Sequence, residues 1–102
     1  MYALVVRFDC RDSAAAARFD ELTAEAVALI TEREPGTLVY ATSAVEGEPL
    51  ARVFYEVYRD REAFQAHEEA PHVVSFHARK DPLLTRTRVE FLTPGATKSE
   101  WI

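Results

Sequence analysis

Four side chains that can exchange protons or hydrogen bonds lie close together in the sequence between residues 54 and 72. They are Glu56, Tyr58, His67 and His72. This segment passes from a predicted strand into a short helix and then, across Pro71, into a second helix, so the four could surround one cavity. Imidazole titrates near neutral pH, and a neighbouring carboxylate raises its basicity and orients it. The segment is therefore the first place to look for acid–base chemistry.

The two histidines differ in what their positions favour. His67 lies three residues after Phe64, which puts both on one side of the short helix. It is the leading candidate for a general base, and the equal alternative is a structural hydrogen bond at the helix junction. His72 follows Pro71 in the first turn of the next helix, where a positive charge is unfavourable. A neutral His72 could serve as acceptor or base, or could bond the strand that carries Glu56.

Glu56 lies in the middle of a predicted strand, between Tyr55 and Val57. A carboxylate at such a position is costly unless it is paired. It could orient His67 or His72, which would make a carboxylate–histidine couple and a third catalytic group. It could equally form an ion pair with Arg52 or Arg88 on the sheet.

Aromatic side chains near this segment could form the walls of a flat ligand site. The candidates for substrate binding are Tyr40, Tyr58, Phe64 and Phe76, with His77 as a further pocket wall or a partly buried helix residue. Aromatic residues at these spacings also build ordinary cores. We expect about two of the four aromatic residues to touch a ligand.

Several other kinds of chemistry are disfavoured. His67, His72 and His77 recur every fifth residue, a step that turns neighbouring rings apart on a continuous helix. Pro71 interrupts the run and leaves the geometry open, but the sequence has no HExxH or CxxC motif, so no metal site is expected. The chain has three glycines, without a phosphate-binding loop or a GxSxG motif. Its net charge of -5, without a Lys/Arg cluster, argues against nucleic acid as a partner. The apolar start at Met1–Arg7 is too short for a signal peptide or a membrane span, so a cytoplasmic location is expected.

The elements that must position these residues follow from hydrophobic periodicity. Residues 2–8, 37–45, 50–58 and 85–92 alternate as strands do. Asp12 or Ser13 can cap a helix that runs to about Glu34, with one apolar stripe and a stop at Pro35-Gly36. Asp60 can cap the first short helix, and Pro71 suits the first turn of the second.

The resulting order βαββαβ predicts an α+β, ferredoxin-like fold: a four-stranded antiparallel sheet with helices on one face. The chain of 102 residues has room for one domain, residues 1–93, followed by a polar tail, residues 94–102. The first three strands are apolar on both faces, and a second copy packed sheet to sheet would cover the uncovered face. We therefore expect a homodimer through the sheet faces, which Trp101 could reach.

Blocks along nearly the whole chain resemble the antibiotic biosynthesis monooxygenase family. The blocks are Glu34-Pro-Gly-Thr-Leu-Val-Tyr40, Phe54-Tyr-Glu-Val-Tyr58, Ala63-Phe-Gln-Ala-His67 and Pro71-His72. The resemblance covers residues 2–92 and implies a dimeric α+β barrel, with small quinol monooxygenases as the most similar members. It also implies that the histidine matching His67 lies beside the pocket.

The resemblance implies a function as well. The best-understood members oxidise polycyclic phenols or quinols with molecular oxygen and need no metal or flavin. We therefore expect a monooxygenase without a cofactor, whose partners are a small aromatic substrate and molecular oxygen, with neither nucleic acid nor membrane. The alternatives are a dimeric ligand-binding module without turnover and, less favoured, a haem-binding relative. In haem-degrading relatives the position of His77 binds iron, but this chain has Arg7 and His67 where those relatives have asparagine and tryptophan.

Overall fold

Four strands and three α-helices build residues 1–100 in the order βαββααβ. The computed structural model describes residues 1–100, so the expected role of Trp101 lies outside the described residues. The elements are β1 (Tyr2–Cys10), α1 (Ser13–Arg33), β2 (Thr37–Val45), β3 (Glu48–Tyr58), α2 (Arg61–Glu69), α3 (Pro71–Lys80), a 3₁₀ turn (Asp81–Leu83) and β4 (Leu84–Leu92). The predicted ferredoxin-like fold is confirmed, with the second helical connection split into α2 and α3 at Pro71.

The sheet has the strand order β2-β3-β1-β4, and all neighbouring strands are antiparallel. The hairpin between β2 and β3 is tighter than the sequence predicted. A turn was expected over residues 46–49, whereas β3 already begins at Glu48. Gly47 takes a positive φ of 80°, which allows a turn of two residues, and the strands can then pair up to it.

Helix starts are fixed by the predicted caps. The Asp12 carboxylate accepts a hydrogen bond from the Ala15 amide, and the Asp60 carboxylate accepts one from the Ala63 amide, each at 2.8 Å. Each bond satisfies one of the amides that the first turn of a helix leaves free. Pro71 occupies the first turn of α3, where its missing backbone N–H is no loss because amides there have no partner within the helix.

The core lies between α1 and the face of the sheet that the helices cover. Phe8 of β1 and Phe54 of β3 contact at a ring distance of 4.8 Å, and both rings pack on Phe19 of α1. Leu22, Ala26 and Ile30 continue the buried stripe of α1. This packing fixes β1 and β3 beneath α1, while the shorter helices α2 and α3 lie over the remaining space.

Edge strand β4 is exposed along nearly its whole length. On the side of the sheet that carries the helices, Val89 and Phe91 are 44% and 57% exposed. The register places Val89 beside Val6 and Phe91 beside Leu4. A gap therefore remains between this strand and the short helices, and that gap is the candidate site.

The opposite face of the sheet carries an apolar patch and a charged region. Val5 lies between Tyr55 and Glu90, and Tyr55 remains 39% exposed. Arg7, on the same face, binds Asp9 at 3.1 Å and Glu48 at 3.0 Å. A homodimer that covers this patch stays a prediction.

Candidate functional site

The candidate site is a cavity of about 190 Å³ between the helix-covered face of the sheet and helices α2 and α3. Its apolar walls come mainly from Leu4, Val6, Phe64, Phe76, Val89 and Phe91. Its polar groups come from Tyr40, Glu56, His67, Glu68, His77 and Lys80, with Thr87 on the β4 side. A cavity of about 150 Å³ can hold benzene, so this one suits a small aromatic molecule.

Glu34, the C-cap residue that follows α1, joins the two histidines of the short helices. One carboxylate oxygen lies 2.6 Å from His67 Nδ1, and the other lies 2.5 Å from His72 Nε2. Thr37 donates a third hydrogen bond to Glu34 at 2.7 Å. The cluster thus connects the end of α1, the start of β2 and both short helices.

This cluster fixes the tautomer of His67. Burial tends to raise the pKa of Glu34, but the hydrogen bonds from Thr37, His67 and His72 outweigh it and hold that pKa below its ordinary value. Burial lowers the pKa of His67 against the opposing effect of Glu34. An ionised carboxylate only accepts, so neutral His67 carries its proton on Nδ1 and keeps a lone pair on Nε2.

The ring of His67 is held on both sides as well. Its side chain is 2% exposed, and the rings of Tyr40 and Tyr58 lie 5.5 and 5.2 Å from it. Nε2 is 3.9 Å from the Glu68 carboxylate, beyond hydrogen-bonding distance. His67 thus borders the cavity with one nitrogen anchored and the other available as an acceptor.

Glu56 is the second unusual acid in the cavity. Burial raises the pKa of its carboxyl group to about 7, although the hydrogen bond from the Tyr58 hydroxyl, 2.6 Å away, acts in the opposite direction. Nearby Glu68 adds to the rise by charge repulsion. Near neutral pH, Glu56 is therefore divided between its acid and its carboxylate forms.

The two tyrosines beside Glu56 remain protonated at any ordinary pH. Burial raises the pKa of Tyr40, and the charge of Glu56 raises it further. Burial also raises the pKa of Tyr58, with Glu56 again adding to the effect. Both phenols can therefore act as neutral hydrogen-bond donors, but Tyr58 already donates to Glu56.

Two partly exposed residues, Glu68 and His77, lie in contact at the mouth of the cavity. His77 Nε2 lies 3.5 Å from the Glu68 carboxylate, and no hydrogen bond to Nε2 forms within residues 1–100. Contact with His77 lowers the pKa of Glu68, despite the opposing effect of burial. The pair therefore places a carboxylate near the entrance.

Glycine at position 36 allows the cluster and α2 to come together. A Cβ atom built on Gly36 would lie 2.7 Å from the Ala63 Cβ, closer than side chains approach. Because the chain passes directly from Glu34 through Pro35-Gly36 into β2, this close approach brings the Glu34 carboxylate up to α2. The Pro35-Gly36 sequence predicted a helix stop, and the structure adds close packing as a second reason for glycine.

Six of the predicted site residues border the cavity, and two do not. Those that border it are Tyr40, Glu56, Phe64, His67, Phe76 and His77. Tyr58 lies behind Glu56 as its hydrogen-bond donor. His72 lies behind Glu34 and borders a separate surface cleft with Gly36 and Arg59.

The predicted partners of Glu56 and His72 were wrong. The carboxylate that orients both histidines is Glu34, and Glu56 is bonded to Tyr58 instead. The proposed ion pairs of Glu56 are also wrong, because Arg52 binds Asp20 and Arg88 binds Glu90. His72 is likewise not bonded to the strand of Glu56. The structural hydrogen bond considered for His67 does form.

Sequence reasoning missed three charged residues of this region: Glu34, Glu68 and Lys80. Glu34 stands 33 residues before His67, so spacing alone gave no sign of the contact. Glu68 is adjacent to His67 and lies nine residues before His77, a separation that crosses the break at Pro71. Lys80 is the last residue of α3, and lysine is common at that position because a positive charge is favourable at the end of a helix. Its position in the sequence therefore gave no sign that its side chain is buried.

Two further features of the described residues concern metal ions and membranes. Within residues 1–100, no group of three or more His, Cys, Asp or Glu side chains is arranged to hold a metal ion. In the same range, no helix is both long and apolar enough to cross a membrane.

Solved structures of other proteins share this fold. Rv0793 from Mycobacterium tuberculosis is 28% identical, with a TM-score of 0.86 over 96% of this chain and 98% of that one. A Caulobacter crescentus protein, provisionally named an antibiotic biosynthesis monooxygenase, is 22% identical, with a TM-score of 0.87 over 93% of this chain and 90% of that one. A Nitrosomonas europaea protein with the same provisional name is 22% identical, with a TM-score of 0.83 over 92% and 98%.

Sequence comparison gives the family. No curated protein matches the chain in sequence. The sequence profile of the antibiotic biosynthesis monooxygenase family matches residues 1–79, which include β1, α1, the Glu34 cluster, Glu56 and nearly all of α3. The chain therefore belongs to the antibiotic biosynthesis monooxygenase family.

Proposed function

We propose that the chain is a monooxygenase that oxidises a quinol or polycyclic phenol with molecular oxygen and uses no cofactor. The observation that carries the proposal is the state of His67. Its Nδ1 is held by Glu34 at 2.6 Å, its pKa is lowered by burial, and its ring borders an apolar cavity. A neutral imidazole fixed in this way is suited to take a proton from a phenol.

The reaction begins with transfer of the substrate hydroxyl proton to His67 Nε2. The resulting anion gives one electron to molecular oxygen, which yields a substrate radical and superoxide. These two recombine into a carbon–oxygen bond, and His67 returns its proton to the distal peroxide oxygen. When the carbon also bears hydrogen, cleavage of the O–O bond expels water and leaves a carbonyl, so one oxygen atom enters the product and one enters water.

The charge changes of this sequence match the groups around the cavity. Protonated His67 is stabilised by the Glu34 carboxylate, so deprotonation of the substrate creates an ion pair in place of an isolated anion. The Tyr40 hydroxyl is a donor for the substrate oxygen, because its raised pKa keeps it protonated. Glu56, with its pKa of about 7, can exchange a proton with the same substrate.

The remaining candidates have supporting roles in this proposal. Phe64 and Phe76 form aromatic walls that exclude water and allow a flat ring to stack. His77 lines the mouth with Glu68. His72 and Tyr58 are positioning residues, because His72 acts through Glu34 and Tyr58 acts through Glu56. A homodimer through the open sheet face belongs to the proposal and awaits its own test.

Oxygen uptake with a naphthohydroquinone tests the role of His67. We expect His67→Ala to lower kcat by about 100-fold or more, the usual contribution of a general base. The matched variant is His72→Gln, which changes a second ligand of the same carboxylate outside the cavity. His72→Gln should lower kcat by less than about tenfold, the effect of losing one hydrogen bond. Equal rates in wild type and His67→Ala would remove His67 from the reaction.

A binding module without turnover is the second candidate. One observation favours it: the polar groups deepest in the site already have structural partners. His67 is hydrogen-bonded to Glu34, and Glu56 is hydrogen-bonded to Tyr58. Calorimetry and oxygen electrode measurements on the same set of phenols and quinols separate the two candidates. Saturable binding without oxygen consumption across the whole set supports the module and contradicts the monooxygenase.

A further inference from the structure

A buried lysine lies at the end of the cavity away from Glu56. Lys80, the last residue of α3, borders the cavity with a side chain only 5% exposed. Its ammonium lies 5.2 Å from the ring centre of Phe8 and 5.7 Å from that of Phe76. Lysine is seldom buried in this way, because loss of hydration is costly unless acceptors replace the water. The position therefore requires an explanation.

The protein supplies Lys80 with one acceptor. Nζ donates to the Asp81 carboxylate at 2.7 Å, and no other hydrogen bond to Nζ forms within residues 1–100. An ammonium has three donors, so two remain for another partner. Asp81 itself has a side chain 65% exposed, and water screens its charge. Asp81 alone therefore does not use the capacity of the buried ammonium.

The strand register separates Lys80 from the groups proposed for the reaction. Glu56 is opposite Leu4 on β1, and Tyr40 is opposite Glu56. Phe8, under Lys80, is four residues farther along β1 and opposite Thr87. Four residues of strand span about 13 Å. The cavity is thus elongated, with its acid–base groups near one end and an ammonium and a hydroxyl at the other.

We propose that Lys80 determines specificity by binding an acidic substituent, such as a carboxylate, on the far side of an aromatic substrate. This inference rests on the proposed function, because it concerns the substrate of the same cavity, and it narrows the substrate class to aromatic acids. Their phenol or quinol group would lie near His67 and Glu56, and their carboxylate near Lys80 and Thr87. A charge-assisted hydrogen bond away from bulk water is strong enough to distinguish such an acid from its neutral analogue.

The charged groups around Lys80 favour this arrangement. The other carboxylate near the Lys80 ammonium is that of Glu68 on α2, which lies 3.5 Å from His77 Nε2 at the mouth of the cavity. Arg86 also carries a positive charge near this end and borders a separate surface cleft with Lys80, but it does not line the cavity, and its register with Asp9 places it on the opposite face of the sheet. Arg86 therefore contributes only a general attraction for anions, and it provides a control.

Equilibrium binding without turnover tests the proposal independently of the oxygenase activity. The probes are 6-hydroxy-2-naphthoate, whose two polar groups lie at opposite ends of a fused ring pair, and 6-hydroxy-2-naphthamide, its neutral analogue. For wild type, we expect calorimetry to give at least about tenfold tighter binding of the acid. Lys80→Met should bind the two equally, with an affinity for the amide like that of wild type. Arg86→Met should keep the wild-type preference.

The outcomes are distinguishable. Retained amide binding and an unchanged melting curve show that Lys80→Met is folded, and Lys80→Gln provides the same comparison if the methionine variant is unstable. The proposal is overturned if wild type shows no preference for the acid, if the preference survives in both Lys80 variants, if Arg86→Met abolishes it equally, or if neither probe binds wild type. A lack of oxygen uptake, by contrast, would contradict only the monooxygenase.

Discussion

Replacement of Glu56 by glutamine should change how the stability of the protein depends on pH. Burial raises the pKa of this carboxyl group from its ordinary 4.5 to about 7 in the folded protein. A raised pKa means that folding favours the protonated form. The stabilising contribution is therefore complete below pH 4.5, and it is lost as the pH rises to about 7. Glutamine keeps the shape and an acceptor for Tyr58 but does not ionise.

The magnitude follows from the two pKa values. At about 1.4 kcal/mol for each pH unit, the difference between 4.5 and about 7 corresponds to about 3 kcal/mol. Solvent screening has little effect here, because Glu56 is only 5% exposed. Relative to Glu56→Gln, wild type should lose about 3 kcal/mol of unfolding free energy between pH 4 and pH 7.5.

Urea unfolding at fixed protein concentration, repeated at half-unit steps from pH 4 to pH 8, measures this difference. Glu68→Gln is the matched control: the pKa of Glu68 is lowered from 4.5, so its contribution is complete above about pH 4.5, and its difference from wild type should stay nearly constant between about pH 5 and pH 8. A difference between wild type and Glu56→Gln that stays constant over the whole range would refute the reasoning about Glu56. So would a carbon-13 NMR titration of the Glu56 carboxyl group with a midpoint near 4.5.

Three further predictions concern the supports of the site. Glu34→Gln should lower the unfolding free energy, measured by urea unfolding at pH 7, by roughly 2 to 3 kcal/mol, because an amide cannot accept hydrogen bonds from both His67 and His72. The control is Glu32→Gln, on an exposed part of α1. An equally small loss in both variants would contradict the prediction. Gly36→Ala should lower the unfolding free energy by about 1 to 3 kcal/mol, because the added methyl group clashes with Ala63. Gly95→Ala should leave the unfolding free energy almost unchanged, because the space around its Cβ is open. Equal melting temperatures for the two variants would contradict the prediction. Tyr55→Glu should raise the dissociation constant of a dimer through the open sheet face by at least about tenfold, as measured by sedimentation velocity. Val74→Glu, on the exposed side of α3, should leave that constant unchanged. A monomeric wild type would contradict the dimer itself.

Local patterns in the sequence predicted most of the fold. Alternation in β1 and β3, the aspartates before α1 and α2, and Pro71 at the start of α3 each act over a few residues, and the structure confirms them. The short hairpin was missed because the turn depends on the φ of one glycine, which composition does not specify.

The site was less predictable because its contacts join distant segments. Glu34 was identified only as part of a helix stop, since its partners lie 33 and 38 residues away. The bond between Tyr58 and Glu56 did leave a local signal. Residues two apart on a strand share a face, so the tyrosine could have been recognised as the partner of the carboxylate. Burial of Lys80 depends on the approach of the end of α3 to Phe8 of β1, which no local pattern contains.

Incorporation of labelled oxygen tests the central claim most directly. The protein, treated with a metal chelator, is incubated with a quinol or polycyclic phenol under ¹⁸O₂, and the product is examined by mass spectrometry. The account predicts one ¹⁸O atom in each product molecule with wild type and at least about a hundredfold slower incorporation with His67→Ala. Absence of label from every product across the substrate set, or equal incorporation by the two proteins, would contradict it.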